Sequence, residues 1–192
     1  NRGIRDGDWV RLASRAIQSA QIVMCQLEVP IEISLEAFRV AKGGGGVITI
    51  LTPAPAANLP LELLQLTDIL IPNEVEAAML TGMPTSTDAE VIAAARKLQE
   101  WGVKTLVITL GSRGALLIEG NAEPIFVRAE AVQAVDSTGA GDSFVGSFAY
   151  LLGSGRSVRE AVERGCAIAT RSVLRTGTQT SFPQRDEVAE LL

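Results

Sequence analysis

Short apolar segments alternate with amphipathic segments along the first 110 residues of the chain. Runs rich in β-branched and apolar residues predict strands at 22–29, 47–51, 68–72 and 104–111. Asp6 or Asp8 is expected to cap a helix through about Ser19, and Asp88 a longer amphipathic helix to Trp101. Helices are also predicted over 31–42 and 73–82. Because strand and helix alternate, right-handed crossovers are expected to build a parallel sheet with helices on both faces. The pattern predicts an α/β fold, as a single domain over residues 1–192.

The last third of the chain carries a different pattern. The segments 115–120 and 123–130 are typical of a pair of antiparallel strands. A Gly-rich turn, DSTGAGDSF at 136–144, then runs into an apolar helix. Ser157 is expected to cap a further helix that reaches about Arg175, and a short amphipathic segment covers Arg185–Leu192.

Composition narrows the classes of protein that fit. Hydrophobic residues make up 47% of the chain but aromatic residues only 4%, which favours a core of small aliphatic side chains around buried strands. The net charge of −5 and the lack of a basic stripe argue against a nucleic-acid or anionic-membrane partner. The chain has no histidine, so Asp, Glu or Lys must carry any acid–base chemistry.

Two further features indicate the compartment. Cys25 and Cys166 lack CxxC spacing, which favours buried structural thiols in a reducing compartment over a disulfide or a metal site. No apolar run reaches the about 18 residues that a membrane span needs, and the first residues are too polar for a signal peptide. We therefore expect a cytoplasmic protein.

The Gly-rich turn carries the clearest candidate chemistry. Backbone N–H groups around Gly139 to Gly141 are expected to be unpaired and to point at one spot, where a phosphoryl group is the natural occupant. Asp142 is placed to take a proton from a substrate hydroxyl as its oxygen attacks the phosphoryl group. The alternative is that these glycines only end one element and begin the next.

Polar residues also follow the predicted strands, at the sheet edge where ligands bind in such folds. They are Glu28, Asn73, Glu76 and the segment 112–114. Asn73 and Glu76 are spaced to share a hydrated cation at a helix start, and the same spacing fits a helix cap.

Six short motifs together resemble the ribokinases of the PfkB-type carbohydrate kinase family over nearly the whole chain. They are QLE at 26–28, PAPA at 53–56, PNEVEA at 72–77, TLGSRG at 109–114, DSTGAGDSF at 136–144 and GTQTSFP at 177–183. The resemblance implies a ribokinase-like three-layer sandwich with a mostly parallel central sheet. It implies transfer of the γ-phosphoryl group of ATP to the 5-hydroxyl of D-ribose, with Mg²⁺ and a monovalent cation, usually K⁺. A related kinase for fructose or a nucleoside, and a shortened, silent nucleotide-binding protein, remain alternatives.

The resemblance also implies roles for single residues. It makes Asp142 the catalytic base and a sugar contact, with Gly139, Ala140 and Gly141 as the anion hole. It makes Glu28 and Asp136 sugar ligands, with a solvated strand end and a turn aspartate as the respective alternative interpretations. The ATP site it implies comprises Asn73, Thr109, Gly111, Ser112, Gly114 and Gly141. Glu76 would hold Mg²⁺ through water, and the monovalent cation would be held by Asp136, Thr138, Ser172, Arg175, Gly177 and Ser181.

Some positions depart from the family pattern. Thr52 stands where the family usually has asparagine, and Gly165 stands where a side chain usually approaches adenine. The Gly-rich segment that clamps the sugar and the small β-lid are expected to precede Asn1, within roughly the first third of a complete ribokinase. We therefore expect this segment alone to bind ribose poorly. A homodimer through the lid is the assembly implied for the full-length protein.

Overall fold

The computed structural model describes residues 8–192, so the possible helix cap Asp6 lies outside the described residues. Six strands form one mixed sheet in the order β1-β2-β3-β4-β5-β6. They are β1 (Ile22–Cys25), β2 (Ile48–Leu51), β3 (Ile69–Leu70), β4 (Thr105–Thr109), β5 (Ala115–Glu119) and β6 (Ile125–Val127). Strands β1 to β4 pair in parallel and β5 pairs with β6 antiparallel, which confirms the predicted α/β fold class.

Eight α-helices and three short 3₁₀ helices accompany the described strands. The α-helices are α1 (Asp8–Leu12), α2 (Ser14–Ser19), α3 (Ile31–Gly44), α4 (Leu61–Gln65), α5 (Glu74–Thr81), α6 (Asp88–Glu100), α7 (Ala140–Gly153) and α8 (Val158–Ser172). The 3₁₀ helices are Gly111–Arg113, Gln179–Ser181 and Arg185–Leu191. No helix in this part of the chain is both long enough and apolar enough to cross a membrane.

Local sequence explains several helix ends. Capping boxes, in which a cap side chain and a carboxylate exchange hydrogen bonds with each other's backbone, begin α5, α6 and α8. The predicted cap Asp88 is wrong, because the preceding Thr87 accepts the hydrogen bond from Glu90 N–H. Helix α5 ends at Gly82, whose φ of +70° is readily adopted only by glycine.

Several elements differ from the sequence prediction. Strand β1 ends at Cys25 rather than Val29, because the polar residues after it leave the sheet. Helix α8 ends at Ser172 rather than Arg175, since the next residues turn into the loop before Gly177. The short helix α4 has no counterpart in the prediction.

The chain divides into two compact units. The first comprises Asn1–Ile108 with Ile118–Pro124, and the second comprises Thr109–Leu117 with Ile125–Leu192. The core of the first unit contains large side chains that are fully buried. They are Phe38, Ile50, Leu51, Leu63, Leu70 and Leu98.

In the second unit, α7 lies against α8. The rings of Phe144 and Phe148 on α7 stack with centroids 6.1 Å apart. A Cβ atom on Gly165 of α8 would lie 3.2 Å from the Phe144 ring, so glycine lets the ring approach this helix closely. The close packing of these helices fixes the place where α7 begins.

Candidate functional site

The Gly-rich turn enters α7 through Gly139. This residue is the N-cap, with a φ of +81°, a left-handed conformation that glycine adopts at little cost. A Cβ atom here would lie 3.2 Å from the Phe182 ring and 3.4 Å from Thr178 Cα. Both the backbone conformation and the close approach of the 178–182 segment therefore require glycine.

The main-chain donors of the turn are only partly unpaired. The N–H groups of Gly139, Gly141 and Asp142 donate to no residue that the structure describes. Ala140 N–H donates to Ser137 O at 3.2 Å, so the expectation of unpaired amides throughout 139–141 is wrong for Ala140. The turn closes on itself at Ala140, and the N–H groups of Gly139, Gly141 and Asp142 remain available to an anion.

Asp142 lies in the first turn of α7 and is exposed. Its carboxylate accepts no hydrogen bond from another described residue. A carboxylate that is open to solvent beside unpaired amides is accessible to a substrate hydroxyl. The geometry therefore suits the predicted proton acceptor, although it also fits an acidic residue that interacts with the helix dipole.

A cavity of about 410 Å³ lies within the second unit. Five of the six residues assigned to ATP line this cavity, namely Thr109, Gly111, Ser112, Gly114 and Gly141. The sixth, Asn73, belongs to the first unit. The structure therefore brings the TLGSRG loop and the start of α7 to one pocket, although they lie about 30 residues apart in the sequence.

The rest of the cavity wall is mostly apolar. It includes Ala129, Val132, Phe144, Ala169 and Val173, which the sequence analysis did not assign to a site. An apolar wall together with the start of a helix suits a nucleotide, because a flat base prefers apolar surface and phosphates prefer backbone N–H groups. Only Phe144 carried a sequence signal, since it belongs to the motif at 136–144.

The two cysteines are free thiols, as predicted. Cys166 lines the cavity, and burial raises its pKa to about 12. Cys25, in the first unit, is only partly buried, and its pKa is raised by the same desolvation. Both side chains therefore stay protonated at neutral pH.

Asp136 joins the Gly-rich turn to the loop after α8. Its Oδ1 accepts a hydrogen bond from Thr138 N–H at 2.9 Å, and its Oδ2 accepts one from Gly177 N–H at 3.0 Å. The hydrogen bond from Gly177, followed by those from Thr138, lowers the pKa of Asp136 to about 2. Asp136, Thr138 and Gly177, three of the residues predicted to hold the cation, thus lie together. Asp136 is also an aspartate that closes a turn, as the alternative interpretation of this residue expects.

Main-chain oxygens of Asp136 and of the 175–177 segment are available to a cation. The carbonyl oxygens of Asp136, Arg175 and Gly177 accept no hydrogen bond from a described residue. Unpaired carbonyl oxygens are the ligands with which proteins replace the hydration shell of K⁺. The hydroxyls of Ser172 and Ser181 donate to nearby carbonyls, at 2.8 and 2.7 Å, and both side chains are buried.

Asn73 and Glu76, in the first unit, form the capping box of α5. Asn73 Oδ1 accepts from Glu76 N–H and Glu76 Oε2 accepts from Asn73 N–H, both at 2.8 Å. Burial raises the pKa of Glu76, and the hydrogen bond from Asn73 opposes that shift. Oε1 of Glu76 bonds to no described residue, so the cap leaves an oxygen that fits a hydrated Mg²⁺. Residues 8–192 contain no group of three or more His, Cys, Asp or Glu that could hold a metal ion.

Glu28 follows β1 in the first unit and is exposed. Its N–H donates to Gln26 Oε1 at 2.6 Å. Leu27 N–H donates to Ala54 O at 2.9 Å, which brings the QLE and PAPA segments together. The hydroxyl of Thr52, where the family usually has asparagine, is buried and makes no hydrogen bond.

The chain is similar in sequence and in fold to known ribokinases. The chain is 38% identical over 180 residues to the ribokinase of Staphylococcus aureus and 41% identical over 184 residues to that of Mus musculus. In each case the match covers 93% of this chain but only 59% and 56% of the relative. The structure of Arabidopsis thaliana ribokinase complexed with ribose and ATP superposes with a TM-score of 0.88 at 36% identity, over 98% of this chain and 59% of that protein.

A family model covers most of the chain. The model for pfkB family carbohydrate kinases matches residues 6–185, which include every residue assigned above to a site. The fold, the motifs and this match point to the same conclusion: the chain belongs to the pfkB family of carbohydrate kinases.

Proposed function

We propose that the protein transfers the γ-phosphoryl group of ATP to the 5-hydroxyl of D-ribose and gives ribose 5-phosphate. One observation carries the proposal: exposed Asp142 lies at the start of α7, among N–H groups that donate to no described residue. The cavity lined by Gly141 and the TLGSRG loop supports a nucleotide at the same helix start. The similarity to ribokinases supports ribose as the acceptor.

The chain's own residues perform three tasks in this reaction. Asp142 accepts the proton of the sugar hydroxyl as its oxygen attacks the phosphoryl group. The N–H groups of Gly139, Gly141 and Asp142 stabilise the negative charge that develops on the transferred group. Glu28 and Asp136 accept hydrogen bonds from the sugar hydroxyls.

The cofactors complete the proposal. Mg²⁺, when bound, would supply positive charge that offsets the negative charge of the ATP phosphates. Asn73 and Glu76 would hold it through water, and the carbonyl oxygens near Asp136 would hold K⁺.

We place this activity in the cytoplasm, with a homodimer as the assembly of the full-length protein.

The acceptor is tested by ADP release with D-ribose, D-fructose and a nucleoside. The protein is assayed at its full encoded length, because this chain spans 59% of the Staphylococcus ribokinase. We expect the highest kcat/KM with D-ribose, and ribose 5-phosphate as the product by mass spectrometry. A higher value with fructose or the nucleoside identifies a related kinase instead. ATP binding without turnover of any acceptor identifies a silent nucleotide-binding protein.

The nucleotide site is tested by the substitution Gly141→Ala. No atom lies within 4 Å of a Cβ built on Gly141, so the methyl group has room in the folded protein. Alanine is also the better helix former, by up to about 1 kcal/mol. We expect the free energy of unfolding to stay equal or rise while ATP affinity falls at least about tenfold, or about 1.4 kcal/mol, because the methyl group enters the cavity at the anion-binding turn.

Gly146→Ala is the matched control for that substitution. Gly146 lies on the same helix with equally open space around its Cβ position, but it does not line the 410 Å³ cavity. Calorimetry should find wild-type ATP affinity in Gly146→Ala. If Gly141→Ala also binds ATP with wild-type affinity, the phosphates do not lie at the start of α7.

A further inference from the structure

The last 3₁₀ helix (Arg185–Leu191) is joined to the loop after α8 by a two-point ion pair. Arg175 Nη1 donates to Glu187 Oε2 at 3.1 Å, and Arg175 Nη2 donates to Glu187 Oε1. Gln184 N–H donates to the same Oε2 at 2.7 Å, which holds the carboxylate in place. Two parallel hydrogen bonds fix the orientation of the guanidinium as well as its distance.

This ion pair is too exposed to add much to stability. The Arg175 side chain is 50% exposed and that of Glu187 is 35% exposed, and such pairs contribute little net free energy in water. What the pair does determine is the position of Arg175, which lies in the irregular segment between the end of α8 and Gly177.

That segment is attached at several points, one of which is Val173 O, the acceptor of hydrogen bonds from Val135 N–H and Asp136 N–H. Helix α8 holds its beginning, and the hydrogen bond from Gly177 N–H to Asp136 holds its end. Glu187 holds Arg175 in between. The carbonyl oxygens of Arg175 and Gly177 accept no hydrogen bond from a described residue, so no internal hydrogen bond to these oxygens fixes their direction.

We infer that Glu187 is a positioning residue for the monovalent-cation site, because its ion pair with Arg175 keeps the carbonyl oxygens of the 175–177 segment gathered beside that of Asp136. The inference rests on the cation site of the proposed function. Glu187 itself contacts no cation, sugar or nucleotide in this arrangement and acts only through Arg175.

Glu190 provides a matched control on the same 3₁₀ helix. Its carboxylate pairs with Arg171 Nη2 at 3.4 Å, and Arg171 lies within α8, where helical hydrogen bonds fix the main chain. Glu190→Gln therefore removes the same charge and one ion pair from the same segment but leaves the 175–177 segment attached.

The experiment measures K⁺ binding to the purified chain without substrates. Thermal unfolding is followed while KCl replaces choline chloride at constant ionic strength. The wild-type chain should gain stability with K⁺ until the site is saturated. Glu187→Gln and Arg175→Gln should each raise the apparent K⁺ dissociation constant about tenfold, the lower end of the effect of losing a residue that orients metal ligands. Glu190→Gln should leave the constant within about twofold, since it detaches no ligand.

Two results would overturn the inference. One is a wild-type K⁺ dissociation constant in Glu187→Gln, or an equal weakening in Glu190→Gln. The other is a wild-type chain whose stability responds to K⁺ no more than to choline, which removes the site itself. Phosphoryl transfer is judged separately by ADP release, so failure here is distinguishable from failure of the proposed function.

Discussion

Replacing Asp142 with Asn is expected to lower kcat by about 10²–10⁴, the usual contribution of a general base. The amide has the same shape but cannot take a proton from the sugar hydroxyl at neutral pH. Asp142 is exposed and its carboxylate accepts no hydrogen bond from a described residue, so the fold loses no contact. ATP affinity should stay close to wild type, because the N–H groups of the turn are unchanged.

Turnover is measured by ADP release at saturating ATP and D-ribose, in the protein at its full encoded length. Asp88→Asn is the control, because Asp88 is also an acidic residue in the first turn of a helix. In both variants the carboxylate's favourable interaction with the helix dipole, about 0.3–1 kcal/mol, is lost. Only Asp142 lies at the proposed anion site. Equal turnover of Asp142→Asn and wild type would reject Asp142 as the base.

The features that the sequence predicted well are those that local chemistry determines. Asn73 and Glu76 form the capping box that their spacing allows, and the Gly-rich turn at Gly139 leads directly into α7 as the sequence indicates. Even here, local patterns leave some choices open. Thr87 and Asp88 are both good cap residues, and only the backbone geometry at Thr87 decides between them.

Features that depend on distant segments could not be predicted in this way. The apolar wall of the cavity combines Val132 with residues of α7 and α8, and nothing in the local sequence of Val132 indicates a ligand. The ion pair between Arg175 and Glu187 spans a loop whose path no periodicity describes. The sugar acceptor followed only from the family resemblance, because a carboxylate beside an anion site serves many hydroxyl substrates.

Gly114 is expected to be the glycine of the site least tolerant of a side chain. Its φ of +98° and ψ of −125° lie in a region that is practically restricted to glycine. A Cβ atom here would lie 1.9 Å from Val127 O and 2.7 Å from Ala129 N. Both are main-chain atoms, one in the last residue of β6 and one just after it, so no rotation of a side chain relieves the overlap.

Gly114→Ala should therefore lower the free energy of unfolding by at least about 3 kcal/mol, since backbone strain and overpacking each cost about 1–3 kcal/mol. Denaturation by urea, followed by circular dichroism, measures this loss. Gly155→Ala is the control, with a φ of +88° but no atom within 4 Å of its Cβ position, and should cost only about 1–2 kcal/mol.

ATP affinity should fall together with stability in Gly114→Ala, because Gly114 and the displaced Ala129 both line the cavity. Gly141→Ala should instead separate the two properties, since its methyl group meets ligand and not protein. Comparing the two substitutions therefore separates two roles of the backbone: at Gly114 it shapes the cavity, and at Gly141 it binds the phosphates. Equal stability of Gly114→Ala and Gly155→Ala would mean that the β6 segment moves aside easily, and the TLGSRG loop would then be a poor support for a nucleotide.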